Sequence, residues 1–421
     1  MDKQQRVANF KKLGFGVFIH FGLFSILESG EWVKYAQGIS DADYEPLKNR
    51  FEVKEDWAEK LVSEIEAAGA RYAVLTTRHQ DGFSLYDTKG LNDYDAPHSK
   101  CGRDLVREFT DACNRHGVVP IFFHTVFDWR EKTYETDFKA YLKYLRASIE
   151  VLCKNYGKVG GFWFDGMWDK PDADWEEAEL YGIIRKYQPQ AVIVNNTGLH
   201  RRGAVDNDWI DVATFERGRP DAPLGDMAGE MCETIGSHWA RAARDVNFKS
   251  GRDLLTSYMA CRRYGANFLF NVGPKADGGL CALDLGILQT IGAWNRIFAK
   301  ALRDTAPSGV ETGGGDFVLR GKDGRYYLFV GGLAMVVGDA NVVLTDNQDD
   351  APTAGRDAVL SDGKTKKRIV LRGFAQTIKS ARWIDSGEEL AVKATPEGAE
   401  IVCTAFRYGT DLVWRVAELQ I

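Results

Sequence analysis

The chain has 421 residues, of which 44% are hydrophobic and 27% are charged, and its formal net charge is -6. This length exceeds what one hydrophobic core usually organises, so the totals predict a globular protein with one large and one smaller domain. A weakly acidic chain offers no net basic surface to a phosphate backbone, which argues against a nucleic acid partner. The strongest apolar runs, such as VVPIFF, are far shorter than the roughly 20 residues of a membrane helix, so we expect no membrane partner.

The amino-terminal stretch MDKQQRVANFKKLG lacks the apolar core and the small-residue cleavage site of a secretory signal. Seven widely scattered cysteines without a CxxC pair fit reduced thiols better than a disulfide framework or a zinc knuckle. We therefore expect a cytoplasmic protein. The sequence leaves the oligomeric state open.

Short β-rich runs alternate with helical stretches from residue 14 to about residue 300. FGVFIHFG is followed by the helical pattern EDWAEKLVSEIEAAG, and RYAVLTT returns to strand. Further strands are VVPIFFHT, GGFWFD, AVIVNN, DVATFE and NFLFNVG, and an eighth strand is expected near GEMCETIG. Apolar strands joined by helical crossovers form parallel sheets that are buried on both faces. The pattern predicts an α/β fold, a (β/α)8-like barrel of the TIM type, as a catalytic domain over residues 1–304.

The sequence pattern changes after about residue 305, from alternating strands and helices to short strands. The breaker-rich link TAPSGVETGGG leads to DFVLRGKDGRYYLFV, which reads as a hairpin that turns at Asp323 and Gly324. Short strands follow in KKRIVLRGF, ARWID and DLVWRVAEL, without any visible catalytic motif. We expect a small C-terminal antiparallel β-sandwich over residues 305–421.

Polar residues stand where the apolar strands of the predicted barrel end. Active sites of such barrels lie at the carboxyl ends of the strands. A single buried polar residue is usually structural. Burying many polar residues at one rim costs desolvation energy at each of them, so such a group of strand ends indicates a shared ligand. The residues at these ends are His20, Thr76, Thr77, His79, His124, Asp165, Asn195, Asn196, Glu216 and Asn271.

Aromatic residues accompany these polar ends, among them Trp32, Trp129, Trp163 and Trp168. Aromatic faces beside directional polar groups suit a sugar, because its apolar C–H face stacks while its hydroxyls need hydrogen-bond partners. The residue types therefore favour a carbohydrate ligand.

Hydrolysis of a glycosidic bond requires two carboxylates. Asp165 supplies the first. A helix-capping role for this residue is the structural alternative, but the following helix begins nearer residues 172–175, which leaves Asp165 without a cap function. Glu216, Glu230 and Glu233 are the candidates for the second carboxylate, and spacing alone does not choose among them.

Six stretches resemble the α-L-fucosidases of glycoside hydrolase family 29. In chain order they are KKLGFGVFIHFGLFS, GEWVKY, YAVLTTRHQDGFSLYDTK, GGFWFDG, GEMCETIGSHW and NFLFNVGPKADGGL. They span residues 11 to about 280, which is the whole predicted barrel. The resemblance implies a retaining exo-glycosidase that hydrolyses α-L-fucosides in a fucosylated oligosaccharide or glycoconjugate, by double displacement and without a cofactor or a metal.

The resemblance also implies roles for individual residues. Asp165 matches the nucleophile, Glu230 is favoured as the acid/base, and Glu216 is the reserve for that role. Positions that hold or border the sugar in the family are matched by His20, Glu31, Trp32, His79 and Trp163.

The chain departs from the family pattern at two of the expected substrate-binding positions. Gln80 stands where the family commonly has a second histidine, and His124 stands where it often has a tyrosine. Both side chains still form hydrogen bonds, so both are expected to contact substrate. The departures leave a related sugar as an alternative substrate.

Two other classes of function remain to be weighed. A metal-dependent barrel hydrolase would use His20, His79, His124 and Asp165 as ligands, although the first strand lacks the paired histidines that such barrels commonly have. A non-enzymatic sugar-binding protein would have no need of two aligned acids.

Overall fold

The computed structural model describes residues 1–337, 342–344, 358–360, 366–374 and 377–421. The chain divides into two compact units, Met1–Gly292 and Ala293–Ile421. Parts of the predicted sandwich lie outside the described residues. Every helix in the described residues is too short or too polar to span a membrane.

Eight parallel strands close into a barrel in the first unit, and they follow one another around the barrel in chain order. The predicted fold class is confirmed, and the expected eighth strand at GEMCETIG is the seventh in the barrel. The strands are β1 (Phe15–Ile19), β2 (Tyr72–Arg78), β3 (Val119–Thr125), β4 (Gly161–Asp165), β5 (Val192–Asn196), β6 (Val212–Glu216), β7 (Ala228–Glu233) and β8 (Asn267–Val272).

The helices surround these strands. They are α1 (Lys3–Lys11), α2 (Val33–Ala36), α3 (Asp41–Tyr44), α4 (Trp57–Ala67), α5 (Leu105–His116), α6 (Thr133–Thr136), α7 (Phe138–Asn155), α8 (Glu177–Tyr187), α9 (Gly251–Tyr264), α10 (Ala282–Ile297) and α11 (Ala299–Leu302). Local signals set their ends. The Asp104 side chain accepts the Arg107 N–H at the start of α5, and Gly117 ends that helix with a φ of +66°, which favours glycine. The division between the two units falls inside α10, upstream of residue 304.

The barrel departs from a regular (β/α)8 pattern in one sector. Within residues 1–292, all of which the structure describes, no helix joins β5 to β6 or β6 to β7. These connections are the loops 197–211 and 217–227. These two connections therefore add no helix to the outer layer of the barrel.

Side chains of alternate strand residues fill the barrel interior. Phe123 and Trp163 belong to the inner cluster, together with Phe18, Val74 and Val194. Because successive strand residues point to opposite faces, His124 and Phe164 point outward. This alternation decides which strand-end residues reach a ligand at the mouth of the barrel.

The second unit contains two β-sheets. Its strands are β9 (Thr305–Pro307), β10 (Phe317–Gly321), β11 (Tyr326–Gly331), β12 (Met335–Val337), β13 (Val342–Leu344), β14 (Ala358–Leu360), β15 (Lys366–Arg372), β16 (Ser380–Trp383), β17 (Glu389–Thr395), β18 (Gly398–Thr404), β19 (Phe406–Arg407) and β20 (Trp414–Gln420). An eight-stranded antiparallel sheet has the order β15-β18-β17-β16-β20-β11-β10-β9, and a four-stranded sheet has the order β14-β13-β12-β19. The hairpin predicted at Gly324 joins β10 to β11, with a φ of +81° at that glycine.

Candidate active site

A cavity of about 890 Å³ opens where the barrel strands end. This volume lies in the upper part of the range of about 300–1,000 Å³ that is typical of small-molecule pockets. The cavity combines acids and histidines with aromatic rings, as the sequence predicts. The predicted site residues that line it are His20, Glu31, Trp32, His79, Trp163, Asp165 and Glu216.

Asp165 is the last residue of β4 and faces the cavity. Its Oδ1 accepts hydrogen bonds from Trp168 Nε1 and Asn196 Nδ2, each at 3.0 Å, and its Oδ2 accepts one from Gln80 Nε2 at 3.0 Å. It does not cap α8, which begins at Glu177. Three donors from different loops and strands thus fix a carboxylate whose remaining exposure is toward the cavity.

The protonation of Asp165 depends mainly on its burial. The pKa of this carboxyl is raised from 3.8 to about 6, mainly by burial and to a smaller extent by the negative charge of Glu216. The hydrogen bonds from Trp168, Asn196 and Gln80 act in the opposite direction because they favour the charged form. Asp165 is therefore largely ionised at neutral pH.

Glu216 is the last residue of β6 and lines the same cavity. Asn196 Nδ2 donates to Glu216 Oε2 at 2.8 Å and to Asp165 Oδ1 at 3.0 Å, so one amide group bridges the two acids. The two bridged oxygens are no more than about 6 Å apart, which is closer to the roughly 5–5.5 Å between the carboxyls of retaining glycosidases than to the 6.5–9.5 Å of inverting ones. Two carboxylates at this spacing beside one cavity would suit glycoside hydrolysis with retention.

Glu230 does not line the cavity. It is 1% exposed, and its carboxylate accepts the Tyr72 hydroxyl at 2.5 Å and Trp163 Nε1 at 2.8 Å. The strand register gives the reason: Glu230 pairs with Thr214, two residues before Glu216, which is a step of about 6.5 Å along the strand. Glu230 thus lies deeper in the barrel, behind Trp163, and this position argues against the acid/base role that the resemblance favours.

Glu233, the other glutamate of this segment, also lies outside the cavity lining. Its carboxylate pairs with Lys249 at 3.1 Å. Of the three glutamates left open by the sequence, Glu216 alone is among the residues that line the cavity with Asp165.

Two neutral histidines face the cavity. His20 Nδ1 lies 2.7 Å from Asn271 Oδ1, and its ring stacks on Trp239 with centroids 5.1 Å apart. Burial lowers the pKa of His20 to about 3 and lowers that of His79 well below its usual value. His79 Nδ1 is buried without a hydrogen-bond partner. Uncharged imidazoles that donate and accept hydrogen bonds suit the hydroxyl groups of a sugar.

Glu31 lines the cavity while its Oε2 accepts the backbone N–H groups of Trp239 and Ala240, each at 3.0 Å. This carboxylate therefore ties the loop after β7 to the loop after β1. Gln80 lies outside the cavity lining and acts on the site through its hydrogen bond to Asp165.

The expected substrate contact of His124 requires correction. His124 points away from the barrel interior, where its Nδ1 lies 2.6 Å from the Thr125 carbonyl oxygen and its Nε2 lies 3.3 Å from the Tyr86 hydroxyl. It does not line the cavity. The set of metal ligands considered from the sequence is therefore not assembled, and the described residues contain no group of three side chains suited to a metal ion.

Several site residues received no role from the sequence. Asn196 and Trp168 were visible as a strand-end amide and as one of the aromatics, but nothing in the sequence indicated that both contact Asp165. Arg217 and Trp239 line the cavity from irregular loops, with the guanidinium 5.2 Å from the indole centroid. Loop conformation placed these two residues, and no periodic pattern signals it.

Comparisons with known proteins show the family to which the chain belongs. The family model for Alpha-L-fucosidase matches residues 1–300. The chain is 27% identical to the tissue alpha-L-fucosidase of Homo sapiens over 345 residues, which cover 73% of this chain and 71% of that protein. It is 24% identical to the alpha-L-fucosidase of Dictyostelium discoideum over 329 residues, which cover 70% of each chain.

Solved structures share the fold over nearly the full length. Alpha-L-fucosidase isoenzyme 1 from Paenibacillus thiaminolyticus superposes with a TM-score of 0.80 at 26% identity, covering 99% of both chains. A GH29 alpha-L-fucosidase from Bacteroides thetaiotaomicron superposes with a TM-score of 0.79 at 20% identity, covering 100% of this chain and 95% of the other. Since the family model matches more than two thirds of the residues, this chain belongs to the α-L-fucosidase family.

Proposed function

We propose that this chain hydrolyses terminal α-L-fucosides with retention of configuration, with Asp165 as the nucleophile and Glu216 as the acid/base. The observation that carries the proposal is the amide of Asn196, which holds one oxygen of each carboxylate at the mouth of a single cavity. A sugar-binding protein without catalysis would gain nothing from this pair, because two bridged acids repel each other when both are ionised.

Each acid has a distinct task in the proposed double displacement. The ionised Asp165 attacks C1 and forms a glycosyl ester, while Glu216 gives its proton to the departing oxygen. Glu216 then takes a proton from water, which attacks C1 and releases Asp165 as a carboxylate. A trapped covalent intermediate is described for the GH29 alpha-L-fucosidase of Bacteroides thetaiotaomicron, which shares this fold.

The rest of the cavity is suited to hold one terminal sugar. Trp163 and Phe18 close its inner end, and the neutral His20 and His79 offer hydrogen bonds to hydroxyls. Trp32 and Glu31 line it from the loop after β1. The departure from the family at His124 does not bear on the choice of sugar, because that side chain faces away from the cavity. Fucose therefore remains the preferred substrate over a related sugar.

Three alanine variants test the assignment of the two acids. On an activated aryl α-L-fucoside, Asp165→Ala should lose at least about 10³-fold in kcat/KM. Glu216→Ala should lose mainly kcat on this substrate, because a good leaving group departs without the acid, whereas hydrolysis of the glycosyl ester still needs the base. Azide should restore turnover of the Glu216→Ala variant, since the small anion replaces the water that this variant cannot activate. Rescue of Glu230→Ala instead, with Glu216→Ala close to wild type, would return the acid/base role to Glu230.

Covalent trapping tests the nucleophile. A 2-fluoro-fucosyl fluoride should label the wild-type chain, and peptide mapping should locate the adduct at Asp165. Labelling at another carboxylate, or no labelling of an active enzyme, would contradict the proposal. An aryl β-galactoside, processed at least about tenfold more slowly, is the control for sugar preference.

A further inference from the structure

A continuous series of four aromatic rings leads out of the cavity, and we call it the aromatic strip: Trp168, Trp32, Trp129 and Tyr35. The Trp168 and Trp32 rings stack with centroids 6.2 Å apart and planes 18° apart. Trp32 meets Trp129 edge-on at 5.3 Å, and Trp129 stacks on Tyr35 at 5.6 Å with planes 23° apart. Trp168 and Trp32 line the cavity, whereas Trp129 and Tyr35 lie beyond it.

The outer end of the strip is open to solvent. Tyr35, at this outer end, is 67% exposed, while Trp129 and Trp32 are half-buried and Trp168, at the inner end, is 37% exposed. Large exposed apolar residues are ordinary when they are scattered singly, but contiguous ones mark a binding surface. These four residues come from the connections that follow β1, β3 and β4, with Tyr35 in helix α2, so the fold brings them together at the mouth of the barrel rather than in its core.

The inner end of the strip touches the nucleophile. Trp168 Nε1 donates to Asp165 Oδ1 at 3.0 Å. In the proposed reaction the anomeric carbon lies against Asp165 and the rest of the fucose lies deeper, toward Trp163. The strip therefore begins at the level of the bond that is cleaved, and its outer rings, Trp129 and Tyr35, lie outside the lining of the cavity that holds the fucose.

We propose that the aromatic strip binds the aglycone of the substrate, with pyranose rings on the reducing side of the fucose stacked by their C–H faces on Trp129 and Tyr35. This inference rests on the proposed function and extends it to a class of substrate: a fucosylated oligosaccharide that continues beyond the sugar attached to the fucose. Stacking holds the Trp129 and Tyr35 rings at a fixed position, which lowers the conformational entropy lost on binding.

Substrate length tests the proposal. Kinetics would be measured on an aryl α-L-fucoside and on fucosylated di-, tri- and tetrasaccharides with the same terminal linkage. The wild-type kcat/KM should rise with length, and Tyr35→Ala should lower it about 3- to 10-fold on the tetrasaccharide, mainly through KM, while the aryl fucoside changes less than about twofold. Tyr35→Phe should retain the wild-type preference, because it keeps the ring.

A matched control variant is Tyr408→Ala, which removes a tyrosine that is 72% exposed in the second unit. It should leave kcat/KM unchanged on all of these substrates. Equal losses on every substrate in Tyr35→Ala, or no loss on the tetrasaccharide, would overturn the proposal.

Binding without turnover separates this inference from the proposed function. The trisaccharide that lacks fucose should quench tryptophan fluorescence of the wild-type chain, with a Kd raised about 3- to 10-fold in Tyr35→Ala. If the wild-type chain does not hydrolyse the aryl fucoside, the proposed function fails whatever this titration gives. If the titration shows equal Kd values for both proteins, the aromatic strip is not the aglycone site.

Discussion

Replacing Glu230 by glutamine tests the placement of this buried carboxyl. Burial raises the pKa of Glu230 from 4.5 to about 7, although the hydrogen bonds from Tyr72 and Trp163 favour its charged form. The unfolded chain ionises near 4.5, so the folded state binds more protons between pH 4.5 and about 7. Stability therefore falls as the pH rises through this window, and at 1.36 kcal/mol per pKa unit the loss amounts to about 3 kcal/mol.

Glu230→Gln removes this pH-dependent loss of stability and keeps the hydrogen bonds of the neighbouring side chains. The glutamine oxygen still accepts Trp163 Nε1, and its amide group donates to the Tyr72 oxygen. Near pH 4.5 the two proteins should differ by no more than about 1 kcal/mol. At pH 8 the variant should gain about 3 kcal/mol relative to wild type, or roughly 6 °C in Tm at about 2 °C per kcal/mol for a unit of this size.

Thermal unfolding at pH 4.5 and pH 8, followed by circular dichroism, measures this difference. A Tm gap between variant and wild type that is the same at both pH values would refute the reasoning. Tyr72→Phe is the companion variant: it removes a donor that stabilises the charged form, so its pH-dependent loss of stability should be larger than that of wild type. Asp165 titrates in all three proteins, and its contribution cancels in the comparison.

Three further predictions concern the nucleophile, its bridge to Glu216, and the second unit. On an aryl fucoside, kcat/KM should decrease as the pH drops below about 6, because protonated Asp165 is not a nucleophile. Gln80→Leu, which removes a donor to this carboxylate, should shift the decrease in kcat/KM to higher pH. Asn196→Ala removes the bridging amide and should lower kcat/KM roughly 10- to 100-fold, since a hydrogen bond to a charged group contributes about 1.5–3 kcal/mol. Asp385→Ala should destabilise the second unit by about 3 kcal/mol, measured by denaturant titration. The reason is that Arg415 is only 2% exposed, and the variant removes the carboxylate that lies 2.9 Å from its Nε.

Specific results would contradict these predictions. A pH profile that is unchanged in Gln80→Leu would mean that this amide does not act on the nucleophile. An Asn196→Ala variant with wild-type kinetics would remove the argument from the bridged acids. For Asp385→Ala, the Tyr408→Ala variant is the control, and equal unfolding midpoints for the two would show that Arg415 finds other partners.

The sequence predicted the barrel well because of a property of parallel sheets. Strands buried on both faces read as continuous apolar runs, so seven of the eight barrel strands stood out, and only β7 had to be expected near GEMCETIG. The same property concealed which side chains face inward. In VVPIFFHT both faces are apolar, and no alternation shows that Phe123 points into the barrel while His124 points out.

The sequence also could not show how deep in the barrel a strand residue lies. Glu216 and Glu230 both occur in barrel strands, but Glu216 ends β6, whereas Glu230 is the third residue of β7. The pairing of Glu230 with Thr214 sets its depth, and this register depends on how the whole barrel closes. Arg217 and Trp239 were missed for a different reason, because irregular loops bring them to the cavity.

The two connections without helices, 197–211 and 217–227, border the cavity beside Glu216. Doubling the length of a flexible loop costs only about 0.6 kcal/mol in closure entropy, whereas removing a barrel helix exposes an apolar stripe. We expect this sector to tolerate insertions and exchanges that reshape the approach to the acids while the scaffold stays intact. It is the natural place to graft a new leaving-group preference onto this enzyme.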